Sequence, residues 1–235
     1  MSNDLDTIIA TLNDVGLDYR GAFHPNEDDG LPDCGFADVA GTLILVGNIG
    51  GNMWPAFEAG RRDEKNALDN WTKRVLGDVV SDLKKQFGEI SALYPSDGPP
   101  YMPFQQWAIR GDTVFSSPLG PLIHPEHGLW HAYRGGLVFA NKMDLPKKAN
   151  LTSPCETCAD KPCLSTCPVD AFEVGKYDVR MCAVHLTTTK GDSCLKYGCL
   201  ARGACPIGPR RPYPENQTRF HMGIFRDNYA PKSQS

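Results

Sequence analysis

Four cysteines fall within thirteen residues, Cys155-x2-Cys158-x4-Cys163-x3-Cys167, and the run closes on Pro168. Four more follow, Cys182, Cys194, Cys199 and Cys205, the last again before a proline, Pro206. Eight of the nine cysteines therefore lie between residues 155 and 205. Thiols this dense dictate the local fold, because the backbone must bend to bring them together. The N-terminal stretch MSNDLDTIIATLNDVG is acidic and amphipathic and does not read as a secretory leader. Without a leader, clustered thiols read as metal ligands rather than as a disulfide framework.

A structural zinc site is usually built from two C-x2-C knuckles holding four thiolates in a tetrahedron. Only one C-x2-C is present, and two Cys-Pro endings are foreign to that pattern. The bacterial ferredoxin run is C-x2-C-x2-C-x3-C-P, and its fourth cysteine serves the other cluster of a pair. This chain has ADKP between the second and third cysteines, two residues more than that run. Three thiolates from one tight loop can meet three corners of one cube. The fourth turns away, because the proline after it fixes φ and removes a donor. Eight thiols suit two [4Fe-4S] clusters. The pairing favoured is crossed: Cys155, Cys158 and Cys163 with Cys205, and Cys167 with Cys182, Cys194 and Cys199. Cys34, in LPDCGFAD, stands apart and reads as a small half-buried thiol.

Charge follows the same division. Residues 1–150 carry 13 Lys+Arg against 20 Asp+Glu, and residues 151–235 carry 11 against 8. A positive surround suits anionic metal–thiolate clusters, but it is too weak to announce nucleic-acid binding. No apolar run reaches the roughly 20 residues of a membrane span. The expectation is a cytoplasmic protein.

Upstream, the periodicities are those of a globular core. Leu5, Ile8, Ile9, Leu12 and Val15 recur at helical spacing and Gly16 is placed to stop the helix. DYRGAF reads as a short strand, and GTLILVGNI (41–49) as a strand covered on both faces. Leu68, Trp71, Val75, Leu76, Val79, Leu83 and Phe87 mark a second helix ending near Gly88. EISALY and LWHAYRGGLVFA (129–140) have strand character, with a short helix expected at 104–109. NKMDLPKKANLTSP (141–154) reads as a linker. GNIGGN (47–52) lacks the spacing of a dinucleotide fingerprint and reads as a loop at a strand end.

The cysteine region resembles the ferredoxin module of the epoxyqueuosine reductases, a cobalamin- and iron–sulfur-dependent family. In that family a lone cysteine in a stretch like RxCxxxLT lies between the two motifs. RMCAVHLTTT here puts Cys182 in that place, which agrees with the crossed pairing. GPLIHPEHGLWHAYRGGLVF (120–139) resembles a segment of CblC-type cobalamin-processing proteins and a PEYGSW-like segment of the reductases. GTLILVGNIGGNMWPAFEAG resembles the strand and loop of the CblC core. The core here reads as shorter than in either family, and no counterpart of the reductases' catalytic acid or of their C-terminal tRNA-binding extension is assigned.

The resemblance implies an α+β fold. A nitroreductase-like, CblC-like sheet-and-helix core would span residues 1–148. A ferredoxin-type module with two [4Fe-4S] clusters would span 149–212, with a tail over 213–235. It places His124, Gly128 and Trp130 beside a cobalamin, with His127 and His131 as substitutes for His124. His131 lies at strand alternation and is read as facing solvent. Trp130, Trp107, Trp54 and Tyr133 could wall a macrocycle, but for each tryptophan core is the favoured reading. Gly135-Gly136 allows close backbone approach or a bulge. Arg202, Arg210 and Arg211 read as surface, as countercharge or as a docking patch for an acidic donor. The functional expectation is a redox protein passing electrons from a donor protein to cobalamin. The alternative is a ferredoxin-like carrier whose core has lost its cofactor. A flavin (FMN) on the core is a weaker option.

Overall fold

The structure is a computed structural model that describes residues 3–209 and 212–231. Two compact units divide the chain. One takes the chain up to Thr113 and His131–Leu151; the other takes Val114–Trp130 and the chain from Thr152 onward.

The first unit is a mixed α/β assembly. It contains α1 (Asn3–Asp14), β1 (Asp18–Phe23), β2 (Thr42–Ile49), α2 (Trp54–Gly60), α3 (Ala67–Phe87), β3 (Ile90–Leu93), α4 (Phe104–Gly111) and β4 (His131–Phe139). The strands form one antiparallel sheet in the order β1-β2-β4-β3. The central position of β2 follows from its side chains: Leu43, Ile44, Leu45 and Val46 are all 0 % exposed. Burying each contributes about 1.5–3 kcal/mol.

Helix α1 turns Leu5, Ile8 and Leu12 into the core, and Gly16, at φ 79°, ends it as its spacing implied. Helix α3 buries Leu68, Trp71, Leu76, Val79, Leu83 and Phe87 and stops before Gly88. Trp54 packs on Phe57 at 5.0 Å, and the indole N–H of Trp107 donates to the Asp29 carbonyl at 2.7 Å. Both are core material. The β2–β4 register slips between Val46↔Gly135 and Gly47↔Tyr133. The extra residue is Arg134, whose Nε donates to Asn48 Oδ1 at 3.1 Å. The irregularity thus lies just ahead of the glycine pair. His131, read from alternation as facing solvent, is instead 7 % exposed and meets the Tyr133 ring edge-on at 5.8 Å.

A second irregularity, between Tyr19 and Ala22 on β1, accompanies a buried ion pair. Arg20 Nη2 donates to Asp112 Oδ2 at 2.9 Å, and the Tyr133 hydroxyl donates to the same oxygen at 2.7 Å. The Thr113 amide donates to Asp112 Oδ1 at 2.7 Å. Burial and the Asp112 charge push the Tyr19 phenol up to about 12, and the same causes raise Tyr133 further.

The second unit is a succession of short elements: α5 (Pro154–Thr157), α6 (Pro162–Ser165), β5 (Phe172–Glu173), β6 (Lys176–Tyr177), α7 (Val179–His185), α8 (Asp192–Tyr197), α9 (Leu200–Gly203) and α10 (Glu215–Tyr229). Prolines open α5 and α6 at the first position, where a missing N–H costs nothing. Ser153 caps α5, and Asp178 caps α7 by accepting from the Met181 amide at 2.8 Å. Residues 114–130, read in sequence as part of the core, lie in this unit. Two bridges shape that segment, Phe115↔Ile123 and His124↔Gly128. Helix α10, in the stretch read as a tail, packs against α7 and α8. Among the described residues no helix is long and apolar enough to cross a membrane.

Candidate metal centre

All eight clustered cysteines are free thiols in the second unit. Cys155 lies on α5, Cys158 at its C-cap and Cys163 on α6. Cys182 lies on α7 and Cys194 on α8, and Cys199 is the N-cap of α9. Cys167 and Cys205 follow α6 and α9. Each is thus carried by a single helical turn or its edge, which is how a loop-rich chain aims many side chains inward.

The electrostatics divide the thiols. Burial raises the Cys155 thiol most, followed by the charges of Cys205 and Cys158. Burial raises Cys163 too, then Cys205, Cys155 and Cys158. Cys205 is raised by burial and by Cys158. In the other group, burial raises Cys182, with further contributions from Cys167 and Cys194. Cys194 is raised by burial and Cys167. Burial pushes Cys199 up to about 11, with help from Cys182 and Cys167. A thiolate makes its neighbour harder to ionise only when the two are close. The groups so drawn are Cys155, Cys158, Cys163 and Cys205, and Cys167, Cys182, Cys194 and Cys199.

The second group lines one cavity of about 230 Å³. Among the described residues no three His, Cys, Asp or Glu converge closely enough to hold a single metal ion. A zinc site needs its thiolates about 2.3 Å from one point. A cubane needs them spread around a space, and the donor set of this cavity fits that demand. Amides already face the sulfurs. Ala171 N donates to Cys167 Sγ at 3.4 Å, and Arg202 N donates to Cys199 Sγ at 3.5 Å. Cys163 sits in an apolar cluster with Leu119, Ile123, Leu129, Phe172 and Ala201, and Cys155 and Cys205 of the first group pack against it together with Cys167 and Cys199 of the second.

The structure brings His124, Gly128 and Trp130 beside these loops. His124 Nδ1 accepts from the amides of Glu126 at 3.0 Å and His127 at 3.3 Å, closing the turn, and the His127 ring stacks on it at 4.3 Å. Gly128 has φ 59°, and a Cβ there would lie 2.0 Å from the Ile207 carbonyl oxygen. Trp130 is 3 % exposed, with the Tyr213 ring edge-on at 5.1 Å. Arg202, read as surface, countercharge or docking patch, is half-buried and makes contacts within the cysteine unit. Its Nε and Nη2 donate to the Leu129 carbonyl at 3.0 and 2.5 Å. Arg210 and Arg211 lie outside the described residues. Cys34 belongs to the first unit, and its Sγ donates to the Pro32 carbonyl at 3.4 Å.

Three features escaped the sequence: the Arg20–Asp112–Tyr133 network, the burial of His185 beside the second thiol group, and the role of Arg202. An arginine inside the strand stretch DYRGAF was the one available signal for the first.

No family model matches the chain, and no curated protein matches its sequence. Solved structures do. An epoxyqueuosine reductase bound to an epoxyqueuosine-modified tRNA stem loop superposes with a TM-score of 0.55 at 15 % identity, over 91 % of this chain and 68 % of its own. The reductase of Streptococcus thermophilus gives 0.52 at 15 %, over 89 % and 68 %. The C. elegans B12-trafficking protein CblC, a homologue of human MMACHC, gives 0.54 at 14 %, over 100 % of both chains. The fold resembles both proteins. At these identities the likeness speaks for the fold alone, and it agrees with the two families whose segments the sequence resembles.

Proposed function

We propose that the protein is an iron–sulfur electron-transfer protein with two [4Fe-4S] clusters. Cys155, Cys158, Cys163 and Cys205 hold one; Cys167, Cys182, Cys194 and Cys199 hold the other. The observation that carries this reading is the gathering of eight buried or half-buried thiols in one unit, four of which, Cys167, Cys182, Cys194 and Cys199, line one cavity. Such clusters supply single-electron transfer at a potential set by hydrogen bonds to sulfur, burial and charge. The chain supplies those controls. Backbone amides at Ala171 and Arg202 donate to sulfur, apolar side chains such as Phe172, Leu200 and Phe225 line the second cavity, and Arg202 ties α9 to the segment ending at Trp130.

The acceptor proposed is a corrinoid, and the donor an electron-carrier protein. Support for the corrinoid comes from the likeness to a B12-trafficking protein and from the segment around His124, Gly128 and Trp130. One observation favours a second reading, a ferredoxin-like carrier: all three of those residues are engaged in turns and packing within the cysteine unit. Titration of cobalamin into anaerobically reconstituted protein separates the two. Retained corrinoid with a shifted visible spectrum after equilibrium dialysis supports the first. Absence of both, with intact clusters, selects the carrier.

A further inference from the structure

His185 ends α7, three residues after Cys182, and is 9 % exposed. It lines the cavity surrounded by Cys167, Cys182, Cys194 and Cys199. Its Nε2 is fully buried and has no hydrogen-bond partner within the protein. Buried polar atoms are paired in about nine cases of ten, and an orphaned donor costs about 1–3 kcal/mol. Nor is the residue loosely held. Its carbonyl accepts from the Thr188 amide at 3.0 Å and from Thr188 Oγ1 at 2.8 Å, and the Leu186 amide caps the helix at Cys182 and Val184. A pinned backbone carries an imidazole that lines both the thiol-lined cavity and a neighbouring one beside Val169, Met181 and Thr188, with its Nε2 buried and unpartnered.

We propose that His185 is a positioning residue for the cluster that the second thiol group holds. Its Nε2–H donates a hydrogen bond to a sulfur of that cluster and raises its reduction potential. The inference rests on the iron–sulfur reading above. Reduction adds one electron and one negative charge to the cluster. A donor to sulfur therefore stabilises the reduced form more than the oxidised one. The orphaned nitrogen gains the partner it lacks.

The test is a redox titration followed by low-temperature EPR on reconstituted full-length protein. His185→Leu keeps the bulk and removes the donor; His185→Gln keeps a donor of similar reach. The leucine variant should make the second cluster about tenfold harder to reduce, which is 59 mV for one electron. The glutamine variant should recover most of that shift, and the cluster of Cys155 should keep its potential in both. Equal shifts in the two variants, or none in the leucine variant, overturn the proposal. If the leucine variant fails to assemble, pulsed EPR of 15N-histidine-labelled protein decides. An imidazole nitrogen coupled to the second cluster, lost in His185→Gln, is expected; a coupling unchanged in that variant overturns the assignment. Wild-type protein with no second EPR signal would instead fail the underlying iron–sulfur reading.

Discussion

The guanidinium of Arg202 lies 4.3 Å from the ring centre of Trp130 and donates to the carbonyl of Leu129. One side chain thus ties α9, between Cys199 and Cys205, to the end of the segment 114–130. A cation over an indole face contributes about 0.5–2 kcal/mol, and a charged hydrogen bond about 1.5–3 kcal/mol. Arg202→Ala should therefore destabilise the cysteine unit by about 2–5 kcal/mol. Arg202→Lys should recover only part of it, because a lysine cannot donate twice in a plane. Urea unfolding followed by circular dichroism checks both.

Gly128 makes a more selective prediction. Alanine there meets the Ile207 carbonyl at 2.0 Å and must adopt φ 59°. The loop just beyond Cys205 has to move. Gly128→Ala should weaken or abolish the EPR signal of the cluster assigned to Cys155, Cys158, Cys163 and Cys205 and spare the other. Loss of both signals alike would show that the two ligand sets are not separate.

In the first unit the test is the buried pair of Arg20 and Asp112, whose side chains are 2 % and 10 % exposed. Asp112→Asn leaves a buried guanidinium without its countercharge and should cost about 3–5 kcal/mol. The double variant Arg20→Met/Asp112→Leu should be less damaged than Asp112→Asn. Thermal unfolding of the three proteins side by side gives the comparison.

Two phenols near that pair predict an alkaline limit. In the unfolded chain a tyrosine ionises near 10. Tyr19 is pushed up to about 12, and Tyr133 is raised further. A folded value above the unfolded one favours the neutral form. The contribution is therefore complete below about pH 10 and is lost as pH rises toward and through about 12 for Tyr19. The urea midpoint should fall above pH 10, and Tyr19→Phe should flatten that fall.

Much of the core was legible because hydrophobic period is a local property. Leu5, Ile8 and Leu12 point one way on a helix, and Leu43–Val46 leave no solvent face on a strand. The partition of 114–130 was not legible. That segment has no sustained period, and its fit to the cysteine loops depends on a backbone approach between Gly128 and Ile207. Arg20 and Asp112 are 92 positions apart, a separation no local pattern spans. His131 follows the strand alternation that would expose it, yet it is buried against Tyr133 although its neighbours Ala132–Arg134 are only half-buried, a local packing that alternation does not reveal. The gathering of the cysteines in one unit was legible through their spacing, whereas His185 carries no spacing signal of its own.

The most direct test of the account is the metal and acid-labile sulfide content of anaerobically reconstituted full-length protein. Two cubanes held by eight thiolates predict about eight irons and about eight sulfides per chain. Protein that takes up zinc in place of iron and holds no labile sulfide would contradict it.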